Sequence, residues 1–165
     1  MSKRDGPLRA PGNLEQRYPT ADKAATEVAI NLLRADSLLA GALNRRFRAY
    51  GLSIATFNVL MILEGASDAL CPAEIGKRLL VTRGTVTGLL DSLEKQGLIS
   101  RTPDKQDRRM LRIQITPKAL DLLDRLLPEH FKGEAELLAG LTPREKETLI
   151  KLLGKAQASV SSSAG

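Results

Sequence analysis

Apolar residues recur at a helical spacing over long stretches near both ends of the chain. Across residues 20–51 they fall on one side of a helix, with a period near 3.6 residues. These positions are Val28, Leu32, Ala35, Leu39, Ala42 and Phe47. In the last helical stretch the repeating positions are Leu149, Leu152, Leu153 and Ala156. A long striped helix near a chain end is typical of a dimer-forming element, so we expect the first stretch to pack between two copies of the chain.

The middle of the chain predicts shorter helices. One begins at Ser53, and the next begins with Pro72 in its first turn, where proline is favoured. A third covers residues 83–96 and stops at Gly97, a typical residue just beyond a helix end. Because the last two are joined by a brief turn at residues 80–82, their order predicts a helix-turn-helix.

Two short strands follow, at residues 98–102 and 110–115. In the second strand, Leu111, Ile113 and Ile115 alternate with polar residues, which is the period of a half-buried strand. The segment that joins the strands, PDKQDRR, is polar and carries most of the local positive charge. A charged hairpin directly after a helix-turn-helix is expected to act as a wing.

Two further helices are predicted after the hairpin. One starts at Thr116-Pro117 and contains Pro128, where we expect a kink or a break. The other starts at a capping box that begins with Thr142 and has proline at its first position. The predicted fold is mainly α with a small β-hairpin wing: a winged helix-turn-helix flanked by long N- and C-terminal dimerisation helices.

The predicted organisation is a single domain between two loose ends. Residues 1–20 form a flexible N-terminal arm and residues 159–165 a disordered tail. The domain between them covers residues 21–158. Its DNA-binding lobe covers 53–116, and its dimerisation helices cover 21–50 and 117–158.

Composition and charge narrow the function. The chain has 165 residues, a net charge of +6 and a pI near 9.7, which favours an anionic partner, nucleic acid before a membrane surface. Residues 98–116 hold five cations and two anions. Cys71 is the only cysteine of the sequence and His130 the only histidine, so we expect no disulfide, metal site, cofactor or catalytic pair. Without an apolar leader or a membrane-length apolar run, the chain is expected to be cytoplasmic, with no membrane partner. Because the sequence offers no plausible nucleophile–base pair, we also expect no enzymatic activity.

The helix over residues 83–96 has two contrasting faces. Its apolar face contains Val86, Leu89, Leu90 and Leu93. The opposite face contains Gly84 and Gly88, each of which costs about 1 kcal/mol inside a helix. These glycines indicate either a close approach of the helix backbone to a partner or close helix packing inside the protein.

The candidate DNA contacts lie on this helix and on the wing. On the helix they are Thr82, Arg83, Thr85 and Thr87, which offer hydroxyls, a methyl group and a guanidinium to phosphates and base edges. On the wing they are Lys105, Arg108 and Arg109, which suit the negative potential of a narrow minor groove. Asp107 would be repelled by DNA, so we expect it to orient a neighbouring arginine. The alternative for any such charge cluster is a solvated loop.

Several segments closely resemble the MarR family of bacterial winged-helix regulators. They are ATFNVLMIL (55–63), AEIGKRL (73–79), VTRGTVTGLLDSLEKQGLISR (81–101) and DRRMLRIQIT (107–116). The last contains the family's wing pattern, here Asp107, Arg109 and the pair Ile115-Thr116. A further stretch, LTPREKETLIKLL (141–153), is similar to the family's closing dimer helix.

The resemblance implies a homodimer that binds a short palindromic operator on double-stranded DNA, more often as a repressor than as an activator. It also implies release by a small aromatic or phenolic acid that binds between the dimer helices and the DNA-binding lobe. Many relatives carry a larger residue at the position of Gly88, which puts a base contact there in doubt. Oxidant-sensing relatives have a cysteine near the start of the first long helix, whereas Cys71 is expected to cap a later helix. The alternative function is a winged helix used for protein–protein contact, which needs the charged loop but not the groove-facing hydroxyls.

Overall fold

The computed structural model describes residues 6–104, 107 and 110–163, and of Ser163 only the backbone. The elements in chain order are α1 (Leu14–Arg17), α2 (Lys23–Phe47), a 3-10 helix (Arg48–Tyr50), α3 (Ile54–Glu64), α4 (Pro72–Leu79), α5 (Arg83–Lys95), β1 (Ile99–Pro103), β2 (Leu111–Ile115), α6 (Pro117–Leu137) and α7 (Pro143–Ser163). The chain forms two compact units, whose boundary falls between Leu122 and Leu123 within α6. The predicted fold class, mainly α with a two-stranded hairpin, is confirmed.

The helix starts follow the capping signals of the sequence. The side chain of Asp22 accepts a hydrogen bond from the backbone N–H of Ala25 at the start of α2. Ser53 and Thr56 form a reciprocal capping box at the start of α3. These bonds satisfy N–H groups that have no partner within the helix, which is why the predicted starts agree with the observed ones.

The core of the first unit lies among α3, α4, α5 and the hairpin. Its fully buried side chains include Leu60, Ile75, Val86, Leu93 and Ile113. Burying a side chain of this size contributes about 1.5–3 kcal/mol, so this small lobe closes a core of its own.

The two strands form an antiparallel hairpin. Ile99 pairs with Ile115, and Pro103 pairs with Leu111 at the far end. Leu70, in the segment before α4, adds a short bridge through two backbone hydrogen bonds with Ile113. The base of the wing is therefore tied to the helix-turn-helix through backbone as well as side chains.

Residues 6–10 lie along α2 and do not form the free arm that was predicted. The side-chain amide of Asn31 accepts from the Leu8 N–H at 2.7 Å and donates to the Leu8 carbonyl at 2.9 Å. Glu27 accepts from the Arg9 guanidinium at 2.7 Å. The prediction failed here because the segment has no periodicity of its own, and polar side chains of α2 hold it in place.

The second unit contains the rest of α6 and α7. Pro128 lies inside α6 and the helix continues through it, so a break at that residue is excluded. The last helix extends to Ser163, so the disordered tail predicted from residue 159 is wrong for residues 159–163. No helix within the described ranges is both long and apolar enough to span a bilayer.

Candidate nucleic-acid interface

A single glycine sets the distance between α4 and α5. A Cβ atom placed on Gly76 would lie 2.9 Å from Cγ2 of Val86, closer than real Cβ contacts come. A side chain at this position would force Val86 or the two helices to shift. The turn that follows has Leu80 in the left-handed region, with a φ of 55°, and the Val81 N–H donates to the Gly76 carbonyl at 3.2 Å. These features fix the helix-turn-helix geometry that presents α5.

The two faces of α5 differ as the sequence predicts. Val86, Leu90 and Leu93 are buried, whereas Leu89 is only half-buried. On the exposed face, a Cβ atom on Gly84 or on Gly88 would meet nothing within 4 Å. Within the described part of the chain, these two glycines therefore serve no close internal packing.

The three threonines at the start of α5 are exposed and already partly hydrogen-bonded. Thr82 is the N-cap residue, and its Oγ1 accepts from the Thr85 N–H at 3.3 Å and lies 2.9 Å from the Thr85 Oγ1. The Thr87 hydroxyl donates to the Arg83 carbonyl at 3.1 Å. The Thr87 hydroxyl oxygen can still accept a hydrogen bond, and the residue is exposed. Thr87 could therefore accept from a donor on a base edge or contact a thymine methyl group.

Arg83 occupies the first helical position of α5 and is exposed. Its side chain makes no hydrogen bond or ion pair with any residue that the structure describes. The helix N-terminus adds partial positive charge at the same place. Arg83 and the first turn of α5 therefore form a surface on which an anionic group is favoured.

The wing is anchored by Asp104, which the sequence did not single out. Its carboxylate accepts from the Arg112 guanidinium and from the Asp107 N–H, the latter at 3.0 Å. Its backbone N–H donates to the Met110 carbonyl at 2.9 Å. The hydrogen bond that Arg112 donates to the Asp104 carboxylate raises the pKa of Arg112 further above its usual range. Asp107 contributes through its backbone, since its carbonyl accepts from the Met110 N–H at 2.8 Å.

The predicted wing contacts Lys105, Arg108 and Arg109 lie outside the described residues. The orientation of an arginine by the Asp107 side chain concerns the same segment and stays a prediction.

A second ion pair joins the wing to α5. The Arg101 guanidinium, on β1, contacts Asp91 at 2.5 Å and Glu94 at 3.2 Å. Together with Arg112, this commits two of the five cations of residues 98–116 to contacts within the lobe. The partners of Arg101 lie on a helix and Arg101 itself on a strand, so neither the helical nor the strand period of the sequence predicts these ion pairs.

Cys71 caps α4 and is buried, as expected for a structural cysteine. Its backbone N–H donates to Oε2 of Glu74 at 2.7 Å. This bond, with lesser help from Arg112, lowers the pKa of Glu74 below its usual 4.5. The carboxylate therefore remains charged at the start of α4, where a negative charge stabilises the helix.

The chain is similar to known transcription regulators in both sequence and fold. Residues 50–110 match a family model described as MarR family. Over 140 residues the chain is 32% identical to the HTH-type transcriptional repressor YetL of Bacillus subtilis, and the match covers 84% of each protein.

Two solved structures share the fold. One is the S. aureus MepR–DNA complex, with a TM-score of 0.71 and 27% identity over 78% of this chain and 95% of that one. The other is Bordetella bronchiseptica BpsR, whose DNA binding is regulated by 6-hydroxynicotinic acid; it has a TM-score of 0.73 and 24% identity over 79% and 98% of the two chains. The BpsR likeness concerns the fold alone. On the family model and the match to YetL, the chain belongs to the MarR family of winged-helix transcription regulators.

Proposed function

We propose that the protein is a homodimeric repressor that reads a palindromic operator with the first turns of α5 and with its wing. The observation that carries this proposal is the exposed start of α5. It combines an Arg83 side chain without a described partner, small hydroxyl side chains and two glycines that face open space. This surface is narrow, positively charged at its N-terminal end and free of bulky side chains, which suits insertion into a major groove.

The candidate contacts divide into two roles. Arg83 is suited to a guanine edge or a phosphate, and Thr82, Thr85 and Thr87 to phosphates and thymine methyls. The absence of side chains at Gly84 and Gly88 lets the helix backbone come close to the base edges. On the wing, Lys105, Arg108 and Arg109 are proposed to enter the adjacent minor groove.

The dimer is supported by apolar residues that a single chain leaves in solvent. On α7 these include Ile150 and Leu152, with 69% and 56% of their surfaces exposed. On α2 they include Val28, Leu33 and Leu38, each more than 60% exposed. Exposed apolar surface of this extent on two long helices favours burial against a second copy.

Repression and release by a small molecule rest on similarity. YetL is named a repressor, and the BpsR structure concerns regulation of DNA binding by 6-hydroxynicotinic acid. We propose that this protein likewise represses, and that a small aromatic or phenolic acid lowers its affinity for DNA. Such a ligand would shift the population toward a dimer whose recognition helices no longer match the operator.

The test begins with selection of binding sites from random double-stranded DNA, followed by fluorescence anisotropy on the selected site. Arg83→Ala should weaken binding by about 10- to 100-fold, as expected for the loss of a base or phosphate contact. Arg109→Ala should also weaken binding, through the wing. The matched control is Arg78→Ala, which removes an exposed cation from α4 and should have little effect.

Salt dependence separates the proposal from its alternative. Phosphate contacts from two subunits should make the logarithm of the affinity fall steeply with the logarithm of salt concentration. Selection that enriches no sequence, or binding by Arg83→Ala and Arg109→Ala equal to that of the parent protein, would contradict the proposal. That result would favour a protein–protein module, which similarity to repressors and to a DNA complex does not favour.

A further inference from the structure

Residues 6–10, the arm segment, lie against one row of side chains on α2. The row consists of Glu27, Asn31 and Arg34, whose spacings of four and three residues place them on one face of the helix. The Ala10 N–H donates to Glu27 at one end of the segment. The Gly6 carbonyl accepts from Arg34 at the other end, so the segment runs antiparallel to the helix. Seven residues of helix span about 10 Å, a distance that four residues of chain cover only in an extended form.

Asn31 holds the backbone of Leu8 with both ends of its side-chain amide. Its Oδ1 accepts from the Leu8 N–H at 2.7 Å, and its Nδ2 donates to the Leu8 carbonyl at 2.9 Å. The same Nδ2 donates to the Glu27 carbonyl at 2.7 Å, which fixes the amide on the helix. Two bonds to the N–H and C=O of one residue reproduce the pairing that a neighbouring strand provides. Asn31 therefore recognises an extended backbone, whatever side chain the bound residue carries.

Glu27 recognises a side chain. Its carboxylate accepts from the Arg9 guanidinium at 2.7 Å and from the Ala10 N–H at 3.1 Å. Only 14% of the Glu27 side-chain surface is exposed, compared with 72% for Arg9. The hydrogen bond from Arg9 lowers the pKa of Glu27, so the carboxylate is charged at neutral pH. A covered carboxylate is costly without a charged partner, so this position selects a cation and rejects an acidic side chain.

The prolines of the segment prepare it for this site. Pro7 and Pro11 flank the three residues that contact Glu27 and Asn31. Proline fixes its own φ and pushes the residue before it toward an extended conformation. The N–H groups used for binding belong to Leu8 and not to either proline, and the next one used is that of residue 10. A segment that is already extended loses less conformational entropy when it binds, so it acts as a preorganised ligand.

We propose that Glu27, Asn31 and Arg34 form a docking site for an extended, proline-flanked segment that carries an arginine, and that residues 6–10 occupy this site as a built-in competitor. A partner protein with such a segment docks on α2 by displacing the arm segment. The arm segment competes at an effective concentration in the millimolar range, because a short linker joins it to α2. Nothing in the site requires DNA, so the proposal stands apart from the proposed function.

The test follows the side-chain amide of Asn31 by NMR in the full-length, nitrogen-15-labelled protein. Arg9→Glu brings two carboxylates together, so the arm segment should leave the site and the Asn31 amide resonances should shift. The peptide GPLRAPG, which has the sequence of residues 6–12, should then restore them at millimolar concentration. In the parent protein this peptide should bind at least about tenfold more weakly, because the arm segment occupies the site.

Charge reversal supplies the matched controls. The peptide GPLEAPG should not restore the Asn31 resonances of Arg9→Glu. Glu27→Arg combined with Arg9→Glu recreates the ion pair in the opposite sense, so the arm segment should return without added peptide. Asp36→Arg makes the same change about two and a half turns along α2, on its opposite side, and should leave the arm segment in place.

Three results would overturn the proposal. Asn31 resonances that do not change in Arg9→Glu would mean that this site does not hold the arm segment. A shift that GPLRAPG fails to reverse at several millimolar would mean that the site packs the arm segment without recognising a separate one. Equal effects of GPLRAPG and GPLEAPG would remove the selection by Glu27. Arg9 is exposed and lies outside the helices, so Arg9→Glu should keep the circular dichroism spectrum of the parent protein.

Discussion

The helix-turn-helix lobe buries many of its apolar side chains, whereas the terminal helices leave many of theirs exposed to solvent. In the lobe, side chains such as Leu60, Ile75 and Leu93 are fully buried within one chain. In α7, none of the residues whose side chains are described is buried, and Ile150 has 69% of its surface exposed. The lobe is complete as a single copy, whereas the terminal helices carry apolar surface that a second copy would cover.

The lobe sequence therefore specifies a fold within one chain, whereas the sequence of the terminal helices specifies an assembly. A helix of 21 residues in which none of the described side chains is buried gains little from packing within its own chain. Most helical stability in proteins comes from packing an apolar face, so we expect α7 to be stabilised by contact with a second copy of the chain.

The largest effect is expected from charges on the exposed face of α7. Leu149→Glu combined with Leu152→Glu, at two positions that share one face of the helix, should convert the dimer to a monomer, because two carboxylates would have to be buried at the interface. Operator affinity should fall by about a hundredfold or more, since two linked lobes bind one operator with avidity. Sedimentation equilibrium measures the first effect and fluorescence anisotropy the second. Lys151→Gln is the control, and an unchanged mass for the double variant would exclude this face from the interface.

A smaller but clear effect is expected inside the lobe, at Gly76. Gly76→Ala places a Cβ atom 2.9 Å from Val86 Cγ2, and the buried contact between α4 and α5 leaves little room for relaxation. The free energy of unfolding should fall by about 1–3 kcal/mol, the usual range for overpacking a core. Urea denaturation followed by circular dichroism measures it. Stability equal to that of the parent protein would mean that the two helices are not held at this distance.

The outer glycines should respond in the opposite direction. An added methyl group would meet open space at Gly84, in the first turn of α5, and at Gly88, in its interior. Gly88→Ala should raise the free energy of unfolding by about 0.5–1 kcal/mol, and Gly84→Ala by less, because the preference for alanine over glycine is strongest in a helix interior. Each should also weaken operator binding, because the added methyl group separates the α5 backbone from the base edges. Paired urea and anisotropy measurements test both halves. A gain in stability with unchanged operator affinity would show that the backbone does not approach DNA at these positions.

The smallest effect on stability is expected from lowering the pH. It concerns a glutamate in the first turn of a helix, which occurs both in the lobe and in α7. The backbone N–H of Cys71 lowers the pKa of Glu74, and the backbone N–H of Thr142 lowers the pKa of Glu145. A lowered folded-state pKa contributes stability that is fully present above the unfolded value of about 4.5 and is lost as pH falls through the folded value. The stability difference between the parent protein and Glu74→Gln should therefore shrink below pH 4.5. A difference that is constant from pH 7 to pH 3 would contradict the cap.

Much of the fold follows from local signals. Ser53, Pro72 and Thr142 mark helix starts through hydrogen bonds and backbone preferences that act within one turn. Gly97 marks the end of α5 with a φ of 71°, a conformation that glycine adopts without strain. These signals need no knowledge of distant residues, so the sequence alone suffices to place them.

The contacts that hold the site together were harder to foresee. Arg101 reaches Asp91 across ten residues, and Arg112 reaches the carbonyl of Ala69 across 43. Neither spacing corresponds to a helical or strand period, so the sequence alone indicates only that both arginines belong to one basic patch. A groove lined by residues of α4, α5 and β2, with Arg83 among them, is equally invisible in sequence, because these residues meet only after folding.

The most direct test of the central claim is selection of double-stranded DNA by the purified full-length protein, read by sequencing. If each chain supplies one half of a two-fold reader, the enriched sites should be inverted repeats whose half-site centres lie about one helical turn apart, roughly 10 base pairs. Enrichment of a single unrepeated motif, or of no motif, would contradict the account.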